Sequence, residues 1–362
     1  MDGIYTIRDI YLPSPLEREM LHAFLDRHHL GFEQDTECAV GVFDHDDTLL
    51  ACGCCAGNVL KQFAVDGDHR GNNFLGAILS RLMQRQYERG VERLFVFTKP
   101  ENMPFFQQNA FYPVAANTQQ GALLENRHSG PLYYARKWTV KKARDKKAGA
   151  IVMNANPFTL GHRWLVEKAA GLCELLYVFV VEEDSSDFPF QVRKQLVIEG
   201  TRDLENVAVC DSGPYMISAA TFPTYFIKDK GMVSGIYTEL DLKIFADVIA
   251  PYFHIRSRFV GSEPLCAVTQ FYNEAMKSQL PAKGIMVYEI FRKEVGGVPI
   301  SASLVRKIIR DQGPDHPLLE SLLPQTTLSW LRSDEAGPVM EKIRRRSPEA
   351  PARGCVTGNG TT

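Results

Sequence analysis

Ala150-Ile-Val-Met-Asn-Ala-Asn-Pro-Phe-Thr-Leu-Gly-His162 decides how this chain is read. The apolar run Ala150–Met153 reads as a buried strand. Asn154, Asn156 and Pro157 mark a turn, and a helical pattern follows from Arg163 to Leu172. Strand, turn and helix in this order open a parallel α/β unit. In open sheets of that type the ligand lies beyond the carboxyl ends of the strands. Further strands are expected at Leu175–Val181, Val207–Cys210 and Ile285–Tyr288, and helices over 191–199, 240–250 and 268–276. The second half is therefore predicted to be a Rossmann-like domain with a parallel sheet and crossover helices.

The turn carries chemistry. Pro157 and Phe158 stiffen the loop that leaves the strand. Gly161 removes a side chain where a nucleotide must pass. His162 opens the next helix, where amide groups and the helix dipole favour phosphate, and its imidazole can donate to an α-phosphate. Thr159 can offer a hydroxyl to the same group, and Asn154 and Asn156 can position an attacking carboxylate. Far along the chain, Ile300-Ser-Ala-Ser-Leu-Val-Arg306 heads another helical pattern. Ser301 suits an N-cap, while Ser303 and Arg306 present a hydroxyl and a guanidinium to departing phosphates. Alone, Thr-x-Gly-His is often only a helix-start turn, and Ser-x-Ser-x-x-Arg only a cap. Together they form a two-sided cradle for a nucleoside triphosphate.

Attack at the α-phosphorus needs positioning and charge neutralisation rather than a protein nucleophile. Magnesium is the expected counterion, bridging phosphates, with no dedicated protein metal site. Arg193 and Lys194 follow the acidic loop Glu182–Asp187. Either is a candidate phosphate contact, or equally part of a solvated helix face.

Bulk properties narrow the class. The chain has 362 residues, 45% hydrophobic and 23% charged, enough for two domains with their own cores. A net charge of −2 argues against a general nucleic-acid binder. No run suits a bilayer span, and no export signal is expected at Met1-Asp-Gly-Ile. The eight cysteines do not read as a disulfide framework. Cys52, Cys54 and Cys55 cluster without zinc-type spacing and read as small apolar residues of a buried strand. Reduced thiols and a cytoplasmic location are the expectation.

The first half starts with Ser14-Pro-Leu-Glu17, a capping box with proline at the first helical position. Ala39–Phe43 and Leu49–Cys52 read as a hairpin, and Val59–Val65 as a strand. A break then leads through Arg70-Gly71 into a long helix, and Leu94–Phe97 is a further strand. This order resembles the GNAT acetyltransferase fold over about residues 1–138, with Phe97–Phe111 similar to the family's later helix and final strand. The resemblance implies that the turn at Arg70, Gly71 and Asn72, with the Asn102-Met103 step, holds an acyl or pantetheine arm. Asn73 and Leu75 stand where that family has glycines, and Ala110 replaces a later one, so a scaffold or docking role stays open beside the binding one. Residues 139–148 read as a basic linker, 149–332 as the Rossmann-like second domain, and 333–362 as a disordered tail.

Thr159-Leu-Gly-His162 and Ile300–Arg306 resemble the HxGH/TxGH nucleotidyltransferase superfamily. Within it, the chain is similar to the citrate lyase ligase family. The residues that carry this are Asn154–His162, Thr221–Phe226 with Lys228, Gly261-Ser-Glu-Pro264 with Tyr272-Asn273, and Ile300–Arg306. The resemblance implies an ATP-dependent acetate ligase. Acetyl-adenylate would form with loss of pyrophosphate. The acetyl group would then pass to a phosphoribosyl-dephospho-coenzyme A thiol on the lyase acyl carrier protein. Two rivals remain: an adenylyltransferase acting on a phosphopantetheine-type acceptor, and a nucleotide-binding regulatory protein without turnover.

Overall fold

A computed structural model describes residues 5–69, 71–116, 121–139, 146–183, 186–216, 233–263 and 267–345. Arg70, Thr221–Phe226, Lys228, Pro264, the stretch 140–145 of the expected linker and residues 346–362 lie outside them. The chain divides into two compact units. One comprises Met1–Gly130 and Phe222–Lys243, the other Pro131–Thr221 and Ile244–Thr362.

The first unit contains β1 (Thr6–Ile10), α1 (Pro15–Arg27), β2 (Cys38–Phe43), β3 (Leu49–Ala56), β4 (Val59–Val65), α2 (Phe74–Glu88), β5 (Phe95–Thr98), α3 (Met103–Gln108), β6 (Tyr112–Ala116) and β7 (Ala122–Glu125). They make a seven-stranded sheet ordered β1-β2-β3-β4-β5-β7-β6. Every neighbouring pair is antiparallel except β4–β5, which are parallel and register only at Val59↔Phe95 and Leu60↔Val96. Strand alternation gives the sheet two apolar faces. Val40 and Val42 pack with Phe74, Ile78 and Leu82 of α2, whereas Ala39 and Phe43 pack with Leu21, Phe24 and Leu25 of α1. Ser14 caps α1 as expected, its side chain accepting from the Glu17 N–H. The mixed α/β arrangement expected of this half is present.

The cysteine expectation needs one correction. Cys38 and Cys55 face each other across β2 and β3 and are joined by a disulfide. Their positions are directly opposed in the ladder, a relation that sequence spacing does not display. Cys52 and Cys54 are free and buried, as read.

The second unit follows α4 (Gly130–Trp138) with β8 (Ala148–Met153), α5 (Leu160–Ala170), β9 (Leu175–Val180), α6 (Phe190–Thr201) and β10 (Val207–Asp211). Then come α7 (Val233–Ile244, most of it grouped with the first unit), α8 (Ala250–Phe253), β11 (Ile255–Gly261), α9 (Ala267–Gln279) and β12 (Met286–Ile290). Strands β8 to β12 form a wholly parallel sheet ordered β10-β9-β8-β11-β12. The order reverses between β8 and β11, so a ligand crevice is expected beyond their carboxyl ends. Leu175–Val180 is buried along its whole length, as a central parallel strand requires. Strand β11 was not legible in advance, because Arg256, Ser257 and Arg258 interrupt its apolar pattern.

The chain closes with α10 (Ala302–Gln312), α11 (Leu319–Leu322), α12 (Gln325–Leu331) and α13 (Gly337–Arg345). The stretch Ser333–Arg345, expected to belong to a disordered tail, is ordered and largely helical instead. Ala336, Val339, Met340 and Ile343 are buried in one core with Val305, Ile308 and Ile309 of α10. Their helical spacing is short and lies among polar residues, which hides it in the sequence. No described helix is long and apolar enough to cross a membrane.

Candidate active site

The turn after β8 lies at the reversal point of the sheet. Thr159 is the N-cap of α5, its hydroxyl accepting from the His162 N–H at 3.3 Å. In return, the Thr159 backbone N–H donates to His162 Nδ1 at 3.1 Å. That bond occupies the Nδ1 lone pair, so a neutral imidazole carries its proton on Nε2. Burial, with the nearby charges of Arg292 and Arg306, lowers the His162 pKa to about 4. The geometry thus makes His162 a neutral N–H donor with a fixed tautomer. Thr159 is itself buried, which corrects its expected part: it holds His162 instead of reaching outward.

Gly161 has a more specific duty than open passage. A Cβ there would stand 2.9 Å from the carbonyl oxygen of Ile300 and 3.4 Å from the Ile300 Cβ. The missing side chain is what lets the start of α5 meet the residue before Ser301. The two sequence motifs touch at this point. Arg306 joins them again, donating from Nη1 to the Asn156 carbonyl. Its Nε lies 3.1 Å from Asp187 Oδ2, and its Nη2 donates to Ser303 Oγ at 3.4 Å. Ser301 caps α10, accepting from the Leu304 N–H at 3.1 Å. Ser303, in the first turn, is exposed.

Other expected contacts are placed differently. Phe158 is fully buried, stacked beneath His162 and fitted against Gly200, where a Cβ would approach its ring to 2.5 Å. Pro157 is also buried, after a cis peptide bond from Asn156. Asn156 turns its side chain inward, its Oδ1 accepting from the Phe188 N–H at 3.0 Å. The Asn154 amide donates to Glu183 and Ser186. These two asparagines shape the turn and do not present their side chains as expected. Lys194 is not brought to the turn: its Nζ pairs with Asp211 at 2.5 Å and lies over the Trp138 ring.

Arg193 is 0% exposed. It donates to the carbonyls of Asn154, Val181, Glu183 and Phe188 and to Asn154 Oδ1. It is a buried staple between the turn after β8 and the loop after β9, which overturns its reading as a phosphate contact. Arg193→Met is expected to lower unfolding free energy by about 3–5 kcal/mol, because several buried acceptors lose a charged donor together. Denaturant unfolding checks this.

Two charged residues of the site escaped the sequence. Asp187 belongs to the acidic loop Glu182–Asp187, whose composition alone points to no function. Arg292 follows β12, where its Nε donates to the Ser262 carbonyl at 2.7 Å and its Nη2 pairs with Glu263. A lone Arg-Lys after a strand reads as solvated surface, so only the fold puts its charge near His162. Asn273 was among the marker residues, and its amide donates to the Gly261 carbonyl at 3.0 Å, steadying the end of β11.

In the first unit a cavity of about 790 Å³ is lined by Gly71, Thr98, Lys99 and Asn102, among others. Two of the positions expected to hold an acyl arm therefore line it. Asn72 and Met103 are not among its lining residues.

Comparison with known proteins agrees with the second unit. The family described as "Citrate lyase ligase C-terminal domain" matches residues 148–331. The citrate (pro-3S)-lyase ligase of Klebsiella pneumoniae is 42% identical over 318 residues, covering 87% of this chain and 92% of its own. That of Escherichia coli K12 is 39% identical, covering 86% and 89%. That of Haemophilus influenzae is 35% identical, covering 86% and 94%. The chain belongs to the citrate lyase ligase family.

Proposed function

We propose that this protein is an ATP-dependent acetate ligase that activates citrate lyase. A carboxylate oxygen of acetate attacks the α-phosphorus of ATP. The bond to the β-phosphate oxygen breaks, pyrophosphate leaves, and acetyl-adenylate remains. The thiol of the phosphoribosyl-dephospho-coenzyme A arm on the lyase acyl carrier protein then attacks the acetyl carbon. AMP departs, the thiol proton is released, and a thioester is formed.

The observation that carries this reading is the meeting of the two motifs at the sheet reversal. His162 supplies a neutral Nε2–H donor for charge growing on the α-phosphate. The exposed hydroxyl of Ser303, the Arg306 guanidinium and the amide groups opening α10 suit the departing pyrophosphate. Magnesium would come with the triphosphate and would supply charge neutralisation for the departing phosphates. Nearby carboxylates favour that arrangement over a protein cage, since Asp187, Glu183 and Glu263 already engage Arg306, Asn154 and Arg292. Family membership favours acetate and the carrier thiol over a free phosphopantetheine acceptor. We assign the chemistry to residues 149–332 and leave the first unit with the arm-holding or docking part. The same reading places the protein in the cytoplasm, where reducing thiols would oppose the Cys38–Cys55 bond.

The test is incubation of the full chain with ATP, magnesium, acetate and deacetylated citrate lyase. Acetylation of the carrier thiol by mass spectrometry, with stoichiometric AMP and pyrophosphate, is expected. Transfer of AMP onto the carrier arm instead would replace this reading with the adenylyltransferase one.

A further inference from the structure

We infer that Asp187 is a positioning residue for Arg306, fixing the guanidinium so that its Nη2 edge, beside Ser303, meets the phosphates. This rests on the function proposed above. Asp187 is 2% exposed. A buried carboxylate is costly unless a cation satisfies it, and Arg306 Nε lies 3.1 Å from its Oδ2. With Nη1 committed to the Asn156 carbonyl, the three nitrogens of Arg306 are divided between an acid inside, the turn beside them and a serine hydroxyl at the surface. A long, flexible side chain is thus ordered before ligand arrives, which removes an ordering cost from binding.

The carboxylate is held in turn. Its neighbour Phe188 donates its N–H to Asn156 Oδ1 at 3.0 Å and accepts from Arg193 Nε at 3.0 Å. Its other neighbour, Ser186, accepts from Lys342 Nζ at 2.7 Å through its carbonyl. Lys342 lies on α13, beyond the matched family region. Arg306 of the second motif therefore contacts the acid directly, while Asn156 of the first motif and Lys342 of α13 hold the backbone of the residues on either side of it.

The test is a double-mutant cycle on the full chain with Asp187→Asn and Arg306→Ala. MgATP affinity is read by titration calorimetry, and kcat and KM for ATP by acetate-dependent pyrophosphate exchange. Asp187→Asn keeps the shape but loses the charge. It is expected to weaken MgATP binding about tenfold and kcat/KM by about 10- to 100-fold. In the Arg306→Ala background it should cost less than about twofold. Losses that multiply across the cycle, or a wild-type Asp187→Asn, would overturn the inference. Should Asp187→Asn not fold, Asp187→Glu replaces it, expected to cost about tenfold alone and almost nothing beside Arg306→Ala. Calorimetry needs no acetate chemistry, so absence of exchange in the wild type would sink the proposed function while the binding cycle still judges Asp187.

Discussion

Replacing His162 with alanine is expected to slow acetate-dependent pyrophosphate exchange by about 10²- to 10³-fold, the usual cost of losing one preorganised donor. The fold should persist, because Thr159 still caps α5 through its own hydroxyl. His162→Gln retains an N–H donor of similar reach and should keep more activity than alanine. The pH dependence separates a neutral donor from a cation. With its pKa at about 4, His162 stays neutral from pH 5 to 8, so exchange should show no ionisation near the ordinary histidine value of 6.5. The stability effect has a definite sign. The folded pKa lies below the unfolded one, so the unfolded chain takes up the proton first as pH falls. Stability from neutral His162 is complete above about pH 6.5 and is lost as pH falls toward 4. A rate that follows an ionisation near 6.5, rising on the acid side, would contradict the neutral-donor assignment.

The second large effect is expected at Gly161. At an open helix position, Gly→Ala stabilises by about 0.4–1 kcal/mol. Here the new Cβ would meet the Ile300 carbonyl at 2.9 Å, and the obstacle is backbone that cannot rotate away. Relief requires α5 and the residue before Ser301 to separate. Overpacking of this kind costs about 1–3 kcal/mol. Displacement by about 1 Å between reacting groups costs about 10²-fold in rate. Gly161→Ala should therefore lower the melting temperature by several degrees and turnover by about a hundredfold, with His162 and Arg306 both intact. A neutral or raised melting temperature with full activity would show that the motifs do not depend on this contact.

The parallel domain was legible where local patterns were strong. Leu175–Val180 is an unbroken apolar strand, and Thr159 and Ser301 are cap residues heading clear helical patterns. The pairing of two weak motifs indicated the site because both sit at helix starts that one sheet brings together. What the sequence hid depends on distance. Strand β11 carries Arg256 and Arg258, and its alternation is too polar to read in isolation. Arg193 resembles a surface charge until five acceptors are seen around it. Asp187 and Arg292 acquire meaning only from partners more than a hundred residues away. At Gly161 the sequence points to a nucleotide passing close by, whereas the group the structure brings close is the Ile300 backbone. In the first unit, the opposed Cys38 and Cys55 depended on ladder register, which composition does not reveal.

The most direct measurement is ATP–pyrophosphate exchange by the purified full chain with magnesium, with and without acetate, and with no carrier protein present. Exchange that requires acetate and disappears in His162→Ala is the predicted result, since it reports reversible formation of acetyl-adenylate at this site. Exchange that ignores acetate but requires a phosphopantetheine-type acceptor would contradict the account.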